Sequence, residues 1–193
     1  MSIYIYSIAQ ISNQEPLTDK WFDNPVRYEE RYIRSIEPDY SPYIAPMTAR
    51  RMGQLLKRAI ATALLALQQA KIEIPDAIIT GTGLGCIENT EKFLLAMLDN
   101  HEECLPPTSF MQSTHNTIGS QIAIYLKCQG YNNTYSHRGT SFDSALLDAI
   151  MQFQLQEIQT ALVCSHDELT PSYFKLLEKI GYWKEGSVNT EIL

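Results

Sequence analysis

From residue 48 onward, short apolar runs alternate with helix-length amphipathic segments, and few architectures accommodate that order. Residues 48–70 place Met52, Leu55, Leu56, Ala59, Ala63 and Leu67 at helical spacing behind Thr48, a predicted N-cap. Ile60, Leu64 and Leu65 put apolar area on other faces, so burial on more than one side is expected. Pro75 and Asp76 punctuate the chain before a short buried strand at 77–80, a glycine-rich turn and a helix at about 89–98. A helix from about Thr114 to Gly130 follows, with Ile118, Ile122, Ala123 and Leu126 on one face, then a strand over 133–137. Arg138-Gly139-Thr140 leads into a helix at 141–156, residues 160–165 read as another strand, and Thr170-Pro171 opens a last helix ending before Gly181. This order predicts a single α/β domain over 1–193, with a mixed, mostly parallel sheet of about 4–5 strands covered by helices.

The first 47 residues are less regular. Alternation of Ile3, Ile5 and Ile8 with Tyr4, Tyr6 and Ser7 predicts a strand over 3–8. Residues 12–46 carry Trp21, Tyr28, Tyr32, Tyr40 and Tyr43, too aromatic for a linker, and read as a long excursion with helix at 26–36 that packs on the domain or a partner. The start has neither a basic region nor a long apolar stretch, so a cytoplasmic location is expected, and no apolar run reaches the roughly 18 residues of a membrane span.

The formal net charge of -7 argues against a broad nucleic-acid face, which needs clustered Lys and Arg. The one dense basic cluster, Arg50, Arg51, Lys57 and Arg58, reads as a solvated helix face. Cys86, Cys104, Cys128 and Cys164 form no CxxC pair and read as reduced, mostly buried thiols. Cys164 and His166 lack a second ligand pair, so no metal site is expected. Gly81-Thr-Gly83-Leu-Gly85 after a strand invites a dinucleotide reading, but Cys86 stands where GxGxxG needs its last glycine. A tight strand-to-helix turn explains it better, and no cofactor is expected.

The segment Ser113-Thr-His-Asn-Thr-Ile-Gly-Ser-Gln-Ile, then Gly130-Tyr, then Tyr135-Ser-His-Arg-Gly-Thr-Ser-Phe-Asp-Ser-Ala-Leu resembles the N-terminal half of β-ketoacyl synthases, which have the thiolase fold. In that family an Asn-bearing helix precedes Gly-Pro, a strand ending in Thr-Ala-Cys and a helix starting at the nucleophilic Cys. Placing Asn116 on the helix Asn brings Gly130 onto the Gly of Gly-Pro and Gly139 onto the nucleophile without a gap. Cys164-Ser-His-Asp falls on the family's Gly-Gly-x-Glu, Arg51-Met52 resembles its Arg-x-Met entry, and Thr80-Gly-Thr-Gly-Leu-Gly its glycine-rich strand end. The resemblance covers about residues 45–185.

Elongating synthases carry the acyl chain on that cysteine and decarboxylate malonyl thioester with two histidines of the C-terminal half. Gly139 has no side chain, and Arg138 and Thr140 restore no thiol. Leu193 falls about where the N-terminal half would finish, so the resemblance implies that the histidine pair is missing too. The expectation is therefore a non-catalytic ketosynthase-like subunit that pairs with itself or with an active synthase in fatty-acid, aryl-polyene or polyketide biosynthesis. A ketosynthase and an acyl carrier protein are its implied partners. Family dimers associate through the strand before the junction, here about 133–136, so a homo- or heterodimer through that strand and the helix after Thr114 is implied.

The alternative is an acyltransferase or thioesterase-like enzyme with Ser141 as nucleophile and His137 as base, with Arg138 and Asp143 beside them. Plain structural roles also fit: Ser141 as helix cap, Asp143 against the helix dipole, and His137 or Arg138 on nearby backbone. His115 and Asn116, at the start of the preceding helix, are binding candidates or loop ties.

Overall fold

The computed structural model describes residues 2–18, 20–105, 107–183 and 189–190. Two short strands, β1 (Tyr32–Ile33) and β5 (Asn189–Thr190), pair in parallel as a separate two-stranded sheet. Three longer ones, β2 (Ala77–Gly81), β3 (Tyr131–Tyr135) and β4 (Ala161–Ser165), form a parallel sheet in the order β3-β2-β4. The helices are α1 (Pro46–Ala49), α2 (Gln54–Ala70), α3 (Ile87–Asp99), α4 (Pro107–Ser113), α5 (Thr117–Leu126), α6 (Ser141–Gln154) and α7 (Pro171–Lys179).

Every residue of β2 is buried, as a central parallel strand covered on both faces requires. Ile78 points into a core with Leu55, Ile60 and Leu67 of α2, Ile118 and Ile122 of α5, and Leu162 of β4. Ala77 and Ile79 point the other way, onto Ala145 and Ala149 of α6. Each buried isoleucine contributes about 1.5–3 kcal/mol of apolar transfer free energy. The small residues on α6 let that helix lie close to the sheet. Its opposite side is also apolar, with Phe142, Leu146, Leu147 and Met151 exposed.

Glycine sets the close approaches. A Cβ on Gly130 would lie 2.1 Å from the Asp76 carbonyl oxygen, so only glycine admits the entry to β3. Across that contact the Tyr131 N–H donates to the Asp76 carbonyl at 3.0 Å. The Asp76 carboxylate accepts from the Gln159 and Thr160 N–H groups, both at 2.9 Å, tying the entries of β2 and β4 together. α7 opens as its sequence predicts, with the Thr170 hydroxyl oxygen accepting from the Tyr173 N–H at 3.1 Å and Pro171 in the first turn.

Several expectations are corrected. Among the described residues the principal sheet has three strands, with the β1–β5 pair apart, and all the pairings are parallel. Residues 3–8 form no strand: Ile5 and Ile8 are 81% and 76% exposed, and the Ser7 hydroxyl donating to the Ala66 carbonyl ties the segment to α2. Alternation supplies a strand only where a ladder partner lies beside it. Residues 26–36 are extended, not helical, because Ile33 and Ser35 are buried with a period of two. Thr48 lies within α1, and α2 starts later, behind Gly53 in an extended conformation. The helix after Thr114 spans only α5, and α4 precedes it as a separate element.

The basic cluster is not uniformly solvated. Arg58 is buried, with its guanidinium forked onto the Glu37 carboxylate, which also meets Tyr40 and Gln54. Part of the aromatic excursion is thereby clamped to α2. Burial opposes ionisation of Glu37, but the hydrogen bonds and charge of Arg58, with help from Tyr40 and Gln54, win and hold its carboxyl below the usual value. Of the four cysteines, all free, only Cys86 is fully buried, and Cys104 is exposed.

Candidate functional site

The carboxyl ends of the three parallel strands converge on the glycine-rich loop 81–85, the junction 137–143 and the segment 166–168. This is the end of an α/β sheet where ligands generally bind. The loop's glycines are demanded by the junction. A Cβ on Gly81 would sit 2.6–2.7 Å from the Ser141 and Phe142 backbone, and one on Gly83 would sit 3.1–3.3 Å from the backbone of Arg138. Gly85 has φ +67°, and its added Cβ would lie 3.1 Å from the His115 ring. Gly139 differs from all of these: a Cβ there would meet nothing within 4 Å. Residue 139 therefore faces free space in the turn just before α6.

Arg138, one residue earlier, adopts φ +57°, a left-handed conformation that costs a non-glycine residue about 1 kcal/mol or more. Ser141 is buried and its hydroxyl is fully engaged. Its oxygen accepts from the His137 N–H at 2.8 Å, while its proton faces the carbonyls of Thr82 at 2.9 Å and Arg138 at 2.7 Å. The His137 ring turns instead to the Ser144 hydroxyl, 3.0 Å from Nδ1. The structure thus brings His137 to Ser144, and fixes Ser141 as a bolt between the junction and the loop. Thr140, not Ser141, occupies the cap position of α6, and Asp143 stands exposed in its first turn. His115 is exposed and lies against Gly85, and Asn116 is the cap residue of α5 without a side-chain capping bond.

The residue that organises this end is Asp167, which sequence reasoning names only inside the Cys164-Ser-His-Asp match. Its Oδ1 accepts from the Thr82 hydroxyl at 2.8 Å, the Gly83 N–H at 3.0 Å and the Leu84 N–H at 2.7 Å. Its Oδ2 also accepts from Gly83, and the Thr82 hydroxyl oxygen in turn accepts from the Gly85 N–H at 2.8 Å. These loop amides would face the phosphates in a dinucleotide site, but here an internal carboxylate fills the nest. Beside it Glu168 accepts from the Glu88 N–H in the first turn of α3 at 2.9 Å. A glycine-rich loop with several amides aimed one way needs an anion, and that need was the signal available in the sequence.

No thiol here is poised for nucleophilic attack. Burial first, and the Glu168 charge second, push the Cys86 thiol up to about 12, and burial pushes Cys164 up to about 12. His166 is buried with neither ring nitrogen hydrogen-bonded among the described residues, and burial lowers its pKa to about 4 against the opposing pull of Asp167. Among the described residues no group of three or more His, Cys, Asp and Glu side chains could hold a metal ion, and no helix is long and apolar enough to cross a membrane.

A family model described as the N-terminal domain of β-ketoacyl synthase matches residues 21–184. The chain belongs to this family. Its fold is shared with a ketosynthase in complex with its chain length factor from Xenorhabdus doucetiae, at TM-score 0.72 and 20% identity over 91% of this chain and 72% of that one. It is also shared with a type II polyketide synthase acyl-carrier protein complex with its ketosynthase bound to the hexaketide, at TM-score 0.75 and 14% identity over 93% of this chain and 55% of the other. The ishigamide ketosynthase/chain length factor matches at TM-score 0.72 and 14% identity, over 94% and 51%. The chain thus spans about half the length of these last two. No curated protein matches the sequence.

Proposed function

We propose that the chain is a non-catalytic ketosynthase-like subunit that pairs, through the region around β3, with itself or with an active synthase in fatty-acid, aryl-polyene or polyketide biosynthesis. The observation that carries this reading is the open space at Gly139: the resemblance sets this residue at the nucleophile's place, and it brings no side chain to the strand-to-helix junction. Solved relatives of this fold include a ketosynthase with its chain length factor and a ketosynthase with an acyl-carrier protein, which supports partners of those two kinds. Ser141 as a substitute nucleophile has less support, because its proton is directed at backbone carbonyls and the nearest imidazole faces Ser144.

Incubation with acyl and malonyl thioesters of an acyl carrier protein, followed by intact-protein mass spectrometry, tests the reading. No acyl adduct is expected on the chain, and an adduct mapped to 137–144 would overturn it. Co-expression with a ketosynthase from the same genome is expected to give a stable complex.

A further inference from the structure

β3 is an edge strand among the described residues, and the direction of each of its backbone groups follows from the ladder. The Tyr131 N–H donates to Asp76 and the Tyr135 carbonyl accepts from Thr82, so the odd-numbered residues face β2. Asn132 and Thr134 therefore turn their N–H and C=O groups outward, where a further strand would bind. An antiparallel second copy centred on Asn133 would set Asn132 against Thr134 and Thr134 against Asn132, a self-complementary arrangement.

The outward N–H of Thr134 is already taken. It donates at 2.9 Å to the side-chain Oδ1 of Asn133. That amide is held from behind, its Nδ2 donating to the Tyr131 hydroxyl oxygen at 3.2 Å and to Asp148 Oδ2 at 3.4 Å, while the Tyr131 hydroxyl donates to the same Oδ2 at 3.0 Å. Asp148 is buried in α6, and Gln152 donates to its other oxygen at 3.2 Å. On the same helix, Leu147, Met151 and Leu155 recur at i, i+4 and i+8, one residue before, three after and seven after Asp148, and are 58%, 50% and 65% exposed. An unpartnered apolar row thus runs along the helix flank next to the edge.

We propose that the β3 edge is a gated pairing surface for a second copy of this chain, in which Asn133, braced by Tyr131 and Asp148, masks the Thr134 N–H until an incoming antiparallel strand displaces it. This rests on the pairing reading above and adds its control. The mask removes one of the two outward donors of each strand. It blunts the edge toward stray strands, while for the second copy burial of the Leu147, Met151 and Leu155 row offsets the cost of displacing the mask.

Sedimentation equilibrium on the full chain tests this with Asn133→Val, which keeps strand propensity, and Asn133→Ala. Either variant is expected to lower the dissociation constant of self-association by about tenfold or more, since one donor is freed on each strand. In the dilute monomer the Thr134 amide is expected to lose its protection against hydrogen exchange. Leu147→Glu is expected to dissociate the pair. If Leu147→Glu dissociates it but neither Asn133 variant tightens it, the mask is wrong and the pairing stands. If wild type and both Asn133 variants stay monomeric at all concentrations, the β3 pairing reading fails and the gate falls with it.

Discussion

Gly81 and Gly139 stand on opposite sides of one junction, and only one of them is required by packing. A side chain on Gly81 would collide with the Ser141 backbone, whereas one on Gly139 would enter empty space. Gly139 also lies outside the positive-φ positions, so its backbone tolerates any residue. The contrast separates two reasons for a glycine. The first belongs to the scaffold. The second has no steric cause, so packing alone would admit a side chain there.

The sharpest way to break that contrast is Gly81→Ala. It sets a methyl against main chain that cannot yield, and we expect a loss of about 3 kcal/mol or more in chemical denaturation, or failure to fold. An unaltered denaturation midpoint would show that the junction is not packed as described.

Next in size is the pH response of His166, which sits at the same end of the sheet. Its folded pKa of about 4 lies below the usual 6.5, so the unfolded chain takes up the proton first. Stability is full above about 6.5 and falls as pH drops toward 4, by at most roughly 3 kcal/mol. Substitution by Met is expected to flatten that portion of the profile.

Ser141→Ala is expected to cost about 1–3 kcal/mol, because it leaves the His137 N–H and two carbonyls without their shared partner. Arg138→Gly relieves the left-handed backbone, and we expect a gain of about 1 kcal/mol. Smallest is Gly139→Cys, expected to change stability by no more than about 0.5 kcal/mol while adding an alkylatable thiol at a helix start. Should it destabilise strongly, the open space at residue 139 is filled in solution, and the contrast collapses.

Much of this was legible in the chain. The apolar run of β2, the glycine at 130 and the step from Arg138-Gly139-Thr140 into an amphipathic segment located the sheet, the entry to β3 and the junction, because each follows from local patterning. The prediction failed where a distant partner decides. Arg58 looked like part of a solvated face, and its burial depends on Glu37, 21 residues earlier in an irregular segment. Asp167 reads as a short acidic residue after a strand until the loop amides 83 and 84 positions away are folded against it. At residues 3–8 the pattern was right for a strand, but a strand is a pairing, and no periodicity reports whether a neighbour arrives.

The order β3-β2-β4 places the earliest-made strand of the three in the middle. The hydroxyls of Thr80 and Thr134, joined across β2 and β3, are 54 residues apart, and Asp76 binds Thr160 at a separation of 84. At a synthesis rate of about 5–20 residues per second, a strand that ends wholly buried would leave the ribosome roughly 4–17 s before its second neighbour exists. During that interval the nascent chain carries an unsheltered Ile78-Ile79 pair, which makes β2 the segment where chaperone binding and translation speed would govern yield.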